Sequence, residues 1–256
     1  MTNGTGAGNP RPRRRLLWWG LGGLAVALVL GGVGIWYFVF RDTSPAPVDV
    51  GSAARSVNRD RDKTSSTTAP STFDGKWNVN TTIGSFSDFS SSFAGYRIDE
   101  QLVGIGAKTT VGRTPKVRGN LTLGGAQITA AKVVADLTAL KSDDARRDGR
   151  LAEQGIQTAQ FPTAKFELTE PVDLDKTPAE GVSVSARATG NLTLHGVTRK
   201  VTIPLDAKLT NGVIVVTGSL DIKLPDYKIE RPTSFAVLSI EDHGAFEIQL
   251  FFSHAG

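Results

Sequence analysis

His195, His243 and His254 are the only histidines of this 256-residue chain, and cysteine is absent. Zinc sites need three or four ligands, so a site here would have to combine these histidines with carboxylates. All three fall at turns or in the C-terminal tail, and no metal site or other cofactor is expected. Without cysteine there is also no disulfide, thiolate nucleophile or lipobox acylation. No Gly-x-Ser-x-Gly elbow singles out one of the many serines as a nucleophile. The carboxylate pairs Asp143-Asp144 and Glu241-Asp242 lie at the ends of predicted elements. There, capping and solvation explain them better than acid–base work. The residue types that could carry a reaction are present, but they are not arranged to do so, and the sequence predicts no enzyme.

The charge distribution excludes another class. The formal net charge is +4, from 29 basic and 25 acidic residues. Arg11, Arg13, Arg14 and Arg15 are the only charged residues before position 41 and carry the whole excess. The rest of the chain is balanced, whereas a nucleic-acid-binding face is locally basic and aromatic. Residues 1–15 read as a disordered basic tail. Residues 16–40 hold no charge. As a helix they would reach about 37 Å, enough to cross a hydrocarbon core of about 30 Å. Trp18 and Trp19 at one end, with Trp36 and Tyr37 at the other, match an interfacial aromatic belt. The preceding arginines predict an uncleaved, single-pass signal-anchor with the N-terminus in the cytoplasm and the C-terminal part outside it. Residues 41–72, rich in Ser, Thr, Pro and alternating charge, read as a flexible linker.

From Phe73 to the C-terminus the pattern is that of strands. Val182–Ala188, Val201–Leu209 and Phe246–Leu250 alternate apolar and polar residues, the period of a strand with one buried face. Further strands are predicted at Lys76–Asn80, Gly95–Leu102, Lys108–Arg113, Val117–Leu123, Thr129–Leu140, Ala164–Leu174 and Val213–Leu224. Asn211-Gly212 between two such strands predicts a two-residue hairpin. Pro204 predicts an edge or a bend in its strand. Ser142–Gly155 reads as a short surface helix capped by Ser142. About ten strands and one helix fit an all-β domain, either a closed antiparallel barrel or a sandwich. The long strands favour the barrel.

Several segments carry a family resemblance. They are Trp77-Asn78-Val79, Arg147-Asp148 followed by Leu151, and Gln160-Phe161-Pro162-Thr163-Ala164-Lys165-Phe166. The most specific is Gly190-Asn191-Leu192-Thr193-Leu194-His195-Gly196-Val197-Thr198-Arg199-Lys200-Val201. Together they resemble the YceI-like proteins, exported lipocalin-like barrels that bind polyisoprenoid lipids. Two departures stand beside them: Arg150 is found where family members often have histidine, and the late Ile-x-Arg followed by Phe-Gly is only half present, as Ile229-Glu230-Arg231 with Phe235 and no adjoining glycine. The resemblance implies a barrel of about eight strands with an elongated apolar tunnel. It also implies a chain-like ligand, a polyprenyl lipid or isoprenoid quinone.

On that basis Phe166, Leu168, Val184, Leu192, Leu194, Ile203, Leu205, Phe246, Ile248 and Leu250 are expected to point inward and line the tunnel. From alternation alone they could equally fill a dry core. Arg147 is either a polar clamp at the tunnel mouth or part of an ion pair docking the helix on the barrel. His195 is expected to be a structural hydrogen-bonding residue of its turn. Two functions follow. One is non-enzymatic binding or carriage of an isoprenoid lipid outside the membrane. The other is a cell-envelope structural or stress-related interaction protein with a filled barrel and no ligand.

Overall fold

The computed structural model describes Met1 and residues 29–30, 44–61, 73–104, 106–174, 177–233 and 237–255. The chain divides into two units, residues 1–43 and 44–256. Of the expected membrane helix only Val29 and Leu30 are among the described residues, both helical, and the rest lies outside them. Among the described residues no helix is long and apolar enough to cross a membrane.

The second unit is an antiparallel β-barrel. Its strands are β1 (Gly75–Asn80), β2 (Phe93–Leu102), β3 (Gly106–Thr114), β4 (Val117–Gly124), β5 (Gln127–Asp136), β6 (Thr163–Leu168), β7 (Val172–Asp173), β8 (Ser183–Leu194), β9 (Val197–Thr210), β10 (Val213–Lys223), β11 (Val237–Ile240) and β12 (His243–His254). Eight of them pair in the ring β1-β4-β5-β6-β8-β9-β10-β12, and β12 returns to β1. On the side away from β10, β12 has two neighbours along its length. Phe251–His254 pair with β1, and Ala245–Gln249 pair with β2. β3 joins β2, and reciprocal backbone hydrogen bonds of 2.9 Å tie Arg113 to Lys141 beyond β5. β11 continues along the same edge of β2, with Val237 opposite Leu102.

The hairpins follow from residues that accept positive φ. His195-Gly196 (φ 50° and 71°) joins β8 to β9, and Asn211-Gly212 (φ 52° and 71°) joins β9 to β10 as expected. β9 is an interior strand of the ring, but Pro204 sits where it has become an edge. It pairs with Arg187 of β8, while the ladder to β10 ends one residue away at Leu205–Gly218. A proline lacks the N–H to continue it.

Two expectations need correcting. The first is the linker. Within residues 41–72, Val50–Arg61 form a 12-residue helix, α1. Asp49 caps it by accepting from the Ser52 N–H at 2.7 Å, and this bond holds its carboxyl below the ordinary range. Ala53 and Val57 recur at helical spacing and are buried on Val213, Val215 and Phe251, which face outward from the barrel. A narrow stripe of small apolar residues in a polar segment gave the composition its linker character, although Asp49 and that stripe were the available signal.

The second concerns the helix after β5. It spans Ala145–Arg150 (α2) and ends in a π turn, Leu151–Gly155. Asp144, not Ser142, caps it, accepting from the Arg146 N–H at 2.8 Å. Ser142 is instead bound by Asp148, through its hydroxyl at 2.6 Å and its N–H at 3.0 Å.

Candidate functional site

Alternation along each strand sends one set of side chains inward, where they leave three adjoining chambers. The middle chamber, about 80 Å3, lies inside the ring and is almost wholly apolar. Phe166 and Leu168 of β6, Leu192 of β8, Ile203 and Leu205 of β9, and Ile248 and Leu250 of β12 line it. A smaller chamber of about 50 Å3 toward the Asn211 end includes Val184, and shares Leu121, Ile128 and Val216 with the middle one. The largest, about 290 Å3, lies at the other end under β2, β11 and α2. Leu194 and Arg147 line it, and it shares Ala94 and Phe246 with the middle chamber. The sequence-predicted residues are thus spread along one axis of the barrel rather than gathered at one point.

The large chamber has a polar corner. The Arg147 guanidinium lies 3.5 Å (Nε) from Glu100 on β2 and hydrogen-bonds Asp143 through Nη1. Burial works against the arginine's charge, but Glu100 and Asp143 outweigh it and hold its pKa above the ordinary value. Through these pairs Arg147 fastens α2 to the barrel, and its side chain lies on the chamber wall. Tyr96 stands beside it on the inner face of β2. It lines the chamber, and burial pushes its phenol far above the ordinary range, so the hydroxyl stays protonated. Gly112 on β3 makes room for that ring, since a Cβ there would come within 2.3 Å of it.

Tyr96 and Glu100 were not singled out from the sequence. The signal was in β2 itself, where Ala94, Tyr96, Ile98 and Leu102 share the inward phase and Glu100 is its one charged member. Leu137, Leu140, Ile156, Ile222 and Ile229 also line the chamber from irregular segments or strand ends, where no period marks them.

His195 is held through both nitrogens of its ring. His195 bonds through Nδ1 to the Tyr227 carbonyl at 3.0 Å and through Nε2 to Gln157 at 3.1 Å, with the Phe161 ring edge-on at 4.3 Å. His254 packs edge-on against Trp77. Glu241, Asp242 and His243 could bring three ligand atoms together, but all three are exposed. Asp242 hydrogen-bonds His243 at 3.0 Å and so raises its pKa.

The chain is similar to several solved structures. A polyisoprenoid binding domain from Saccharophagus degradans, implicated in plant cell wall breakdown, is 18% identical and superposes with a TM-score of 0.51 over 71% of this chain and 99% of that one. For Burkholderia cenocepacia BcnA the figures are 18%, 0.48, 62% and 94%. For the Campylobacter jejuni YceI protein they are 18%, 0.44, 55% and 82%. At such identity the likeness speaks to the fold alone. No curated protein matches the chain. The sequence pattern of the YceI-like domain matches residues 62–252, from the end of α1 into β12, and on that match this chain belongs to the YceI-like domain family.

Proposed function

We propose that the barrel binds, and so carries or sequesters, a long apolar isoprenoid lipid of the polyprenyl or quinone type without catalysis. The observation that carries this reading is the row of three chambers sharing wall residues along the barrel axis. Their walls are mainly apolar, and charged residues gather at the wide end, where Arg147, Glu100, Asp144, Arg150 and Glu230 join Tyr96 in the lining. An elongated apolar space with one polar end suits a chain-like molecule with a small polar head. The chambers favour a container over the filled barrel of the alternative reading. At about 25 cal/mol per Å2, burying several hundred Å2 of isoprene chain offers about 10 kcal/mol before ordering costs. The binding named for the Saccharophagus degradans domain, which shares the fold, is in keeping with this.

In the same reading, residues 16–40 anchor the chain once in the cytoplasmic membrane, with the barrel outside the cytoplasm. Lipid extracted from the purified full-length protein and identified by mass spectrometry tests the ligand. An isoprenoid in stoichiometric amount is expected, and protein that is consistently lipid-free and cannot be loaded would end the proposal. A reporter enzyme active only outside the cytoplasm, fused after Gly256, is expected to be active.

A further inference from the structure

The N-terminal end of the second unit runs along the outer wall in a definite direction. The Ser44 hydroxyl donates to the Thr109 carbonyl on β3. Arg97, which lies opposite Val111, donates to the Pro45 carbonyl at 2.6 Å, and Arg113 donates to the Ala46 carbonyl at 3.0 Å. From 44 to 46 the strap therefore climbs beside β3 from the level of Thr109 to that of Arg113. It continues into α1, where Asn58 accepts from the Asn211 side chain at the far hairpin. Ser44, the first described residue of this unit, is thereby held at Thr109, three residues from Gly106, the start of β3 that follows the turn at Val103.

That is the end at which the large chamber opens. Leu102, Val103 and Val237 stand on its rim, and it continues into an open groove of about 620 Å3 that includes Leu238. Val103 and Leu238, beside the paired Leu102 and Val237, are 53% and 70% exposed. Among the described residues these are large apolar side chains left more than half exposed at the mouth of an apolar cavity.

Chain length says what covers them. Phe40, the last residue of the uncharged run, is four residues from Ser44, which can span at most about 14 Å. From Thr109 to Gly106 is three residues, about 10 Å of strand. A run that ends in the bilayer at Phe40 would keep the interface within that reach of Ser44, and the rim lies inside the same distance. We propose that this rim is a membrane-docking surface, with Val103 and Leu238 entering the bilayer interface and the large chamber opening onto lipid. A lipid then passes between bilayer and barrel without crossing water. This rests on the membrane anchoring proposed above and does not require the tunnel to be loaded.

The absence of cysteine makes the test direct. Val103→Cys, Leu238→Cys and Val182→Cys, the last 50% exposed at the opposite end of the barrel, are each labelled with an environment-sensitive fluorophore in the full chain. The proteins are reconstituted into phosphatidylcholine vesicles with or without a phospholipid carrying a collisional quencher. Quenching several-fold stronger at 103 and 238 than at 182 is expected. Equal quenching at all three sites overturns the proposal, as does a blue shift at 103 and 238 without lipid quenching, which would mean a protein partner or a second copy. Failure of the unlabelled chain to float with vesicles overturns the anchor and the docking together. Flotation without quenching removes the docking alone.

Discussion

Arg113 Nη2 lies 3.3 Å from Glu247 Oε2, and both residues are almost wholly buried although they sit on the outer wall of the barrel. Arg97 meets the other carboxylate oxygen at 3.0 Å. The Phe89 and Phe93 rings flank the Arg113 guanidinium at 4.6 and 4.3 Å, and residues 45–46 close over it. Burial lowers the Arg113 pKa, with Glu247 opposing it. Removing one partner of a buried pair strands the other, so Glu247→Ala is expected to cost about 3–5 kcal/mol in urea denaturation of residues 44–256. A loss under about 1 kcal/mol, the range of an exposed pair, would show that water reaches this site.

The strap and α1 belong to the folded unit. A chain beginning at Phe73 uncovers Val213, Val215, Phe251 and the Arg113 pair. It is expected to be less stable and more prone to associate than one beginning at Ser44, seen by denaturation and light scattering. In the longer chain, Val57→Asp is expected to lose at least the roughly 1.5–3 kcal/mol that burying a valine contributes. Identical behaviour of the two lengths would make α1 an ornament.

Ala94 is shared by the large and middle chambers and is 2% exposed. Ala94→Phe is expected to block the passage between them. Long isoprenoids should be displaced from the extracted lipid while short ones remain, at an overpacking cost of about 1–3 kcal/mol in lipid-free protein. An unchanged lipid profile would mean that ligand does not pass this point.

Acid should loosen α2 early. Burial tends to raise the Asp143 pKa, but Lys108, at 2.7 Å, and Arg147 outweigh it and hold it below 3.8. A group with a depressed folded-state pKa contributes its stability above the unfolded value, near 3.9, and loses it as pH falls through the lower folded one. The contribution should therefore be intact at pH 5 and fade below about pH 4. Asp143→Asn should remove that acid step, as followed by amide exchange in α2. An unaltered profile would assign the step to another carboxylate.

The sequence carried the barrel well because strands declare themselves by period. Leu192, Ile203 and Ile248 fall on the inner face simply because their neighbours two residues away do. Asn211-Gly212 was legible for an equally local reason. What was hidden depends on distant partners. Glu100 looks like any strand-end acid until Arg147 arrives from a helix 47 positions later. Val50, Ala53 and Val57 are too small and too few to outweigh the polar residues between them, and only the outward-facing Val213, Val215 and Phe251 explain the helix. The closure of β12 on both β1 and β2 could not be read at all, since pairing across so much chain leaves no local trace.

That double closure gives the wall two independent seams. One level of the barrel is sealed by β1, the other by the β2–β3 hairpin, and between Phe251, opposite Asn80, and Gln249, opposite Phe93, the zip changes from one to the other. Backbone bonds at the hairpin end can part without unthreading the ring that β1 completes. The barrel is in effect a bottle whose neck and body are stitched separately, so the neck can fray and re-form while the body stays shut.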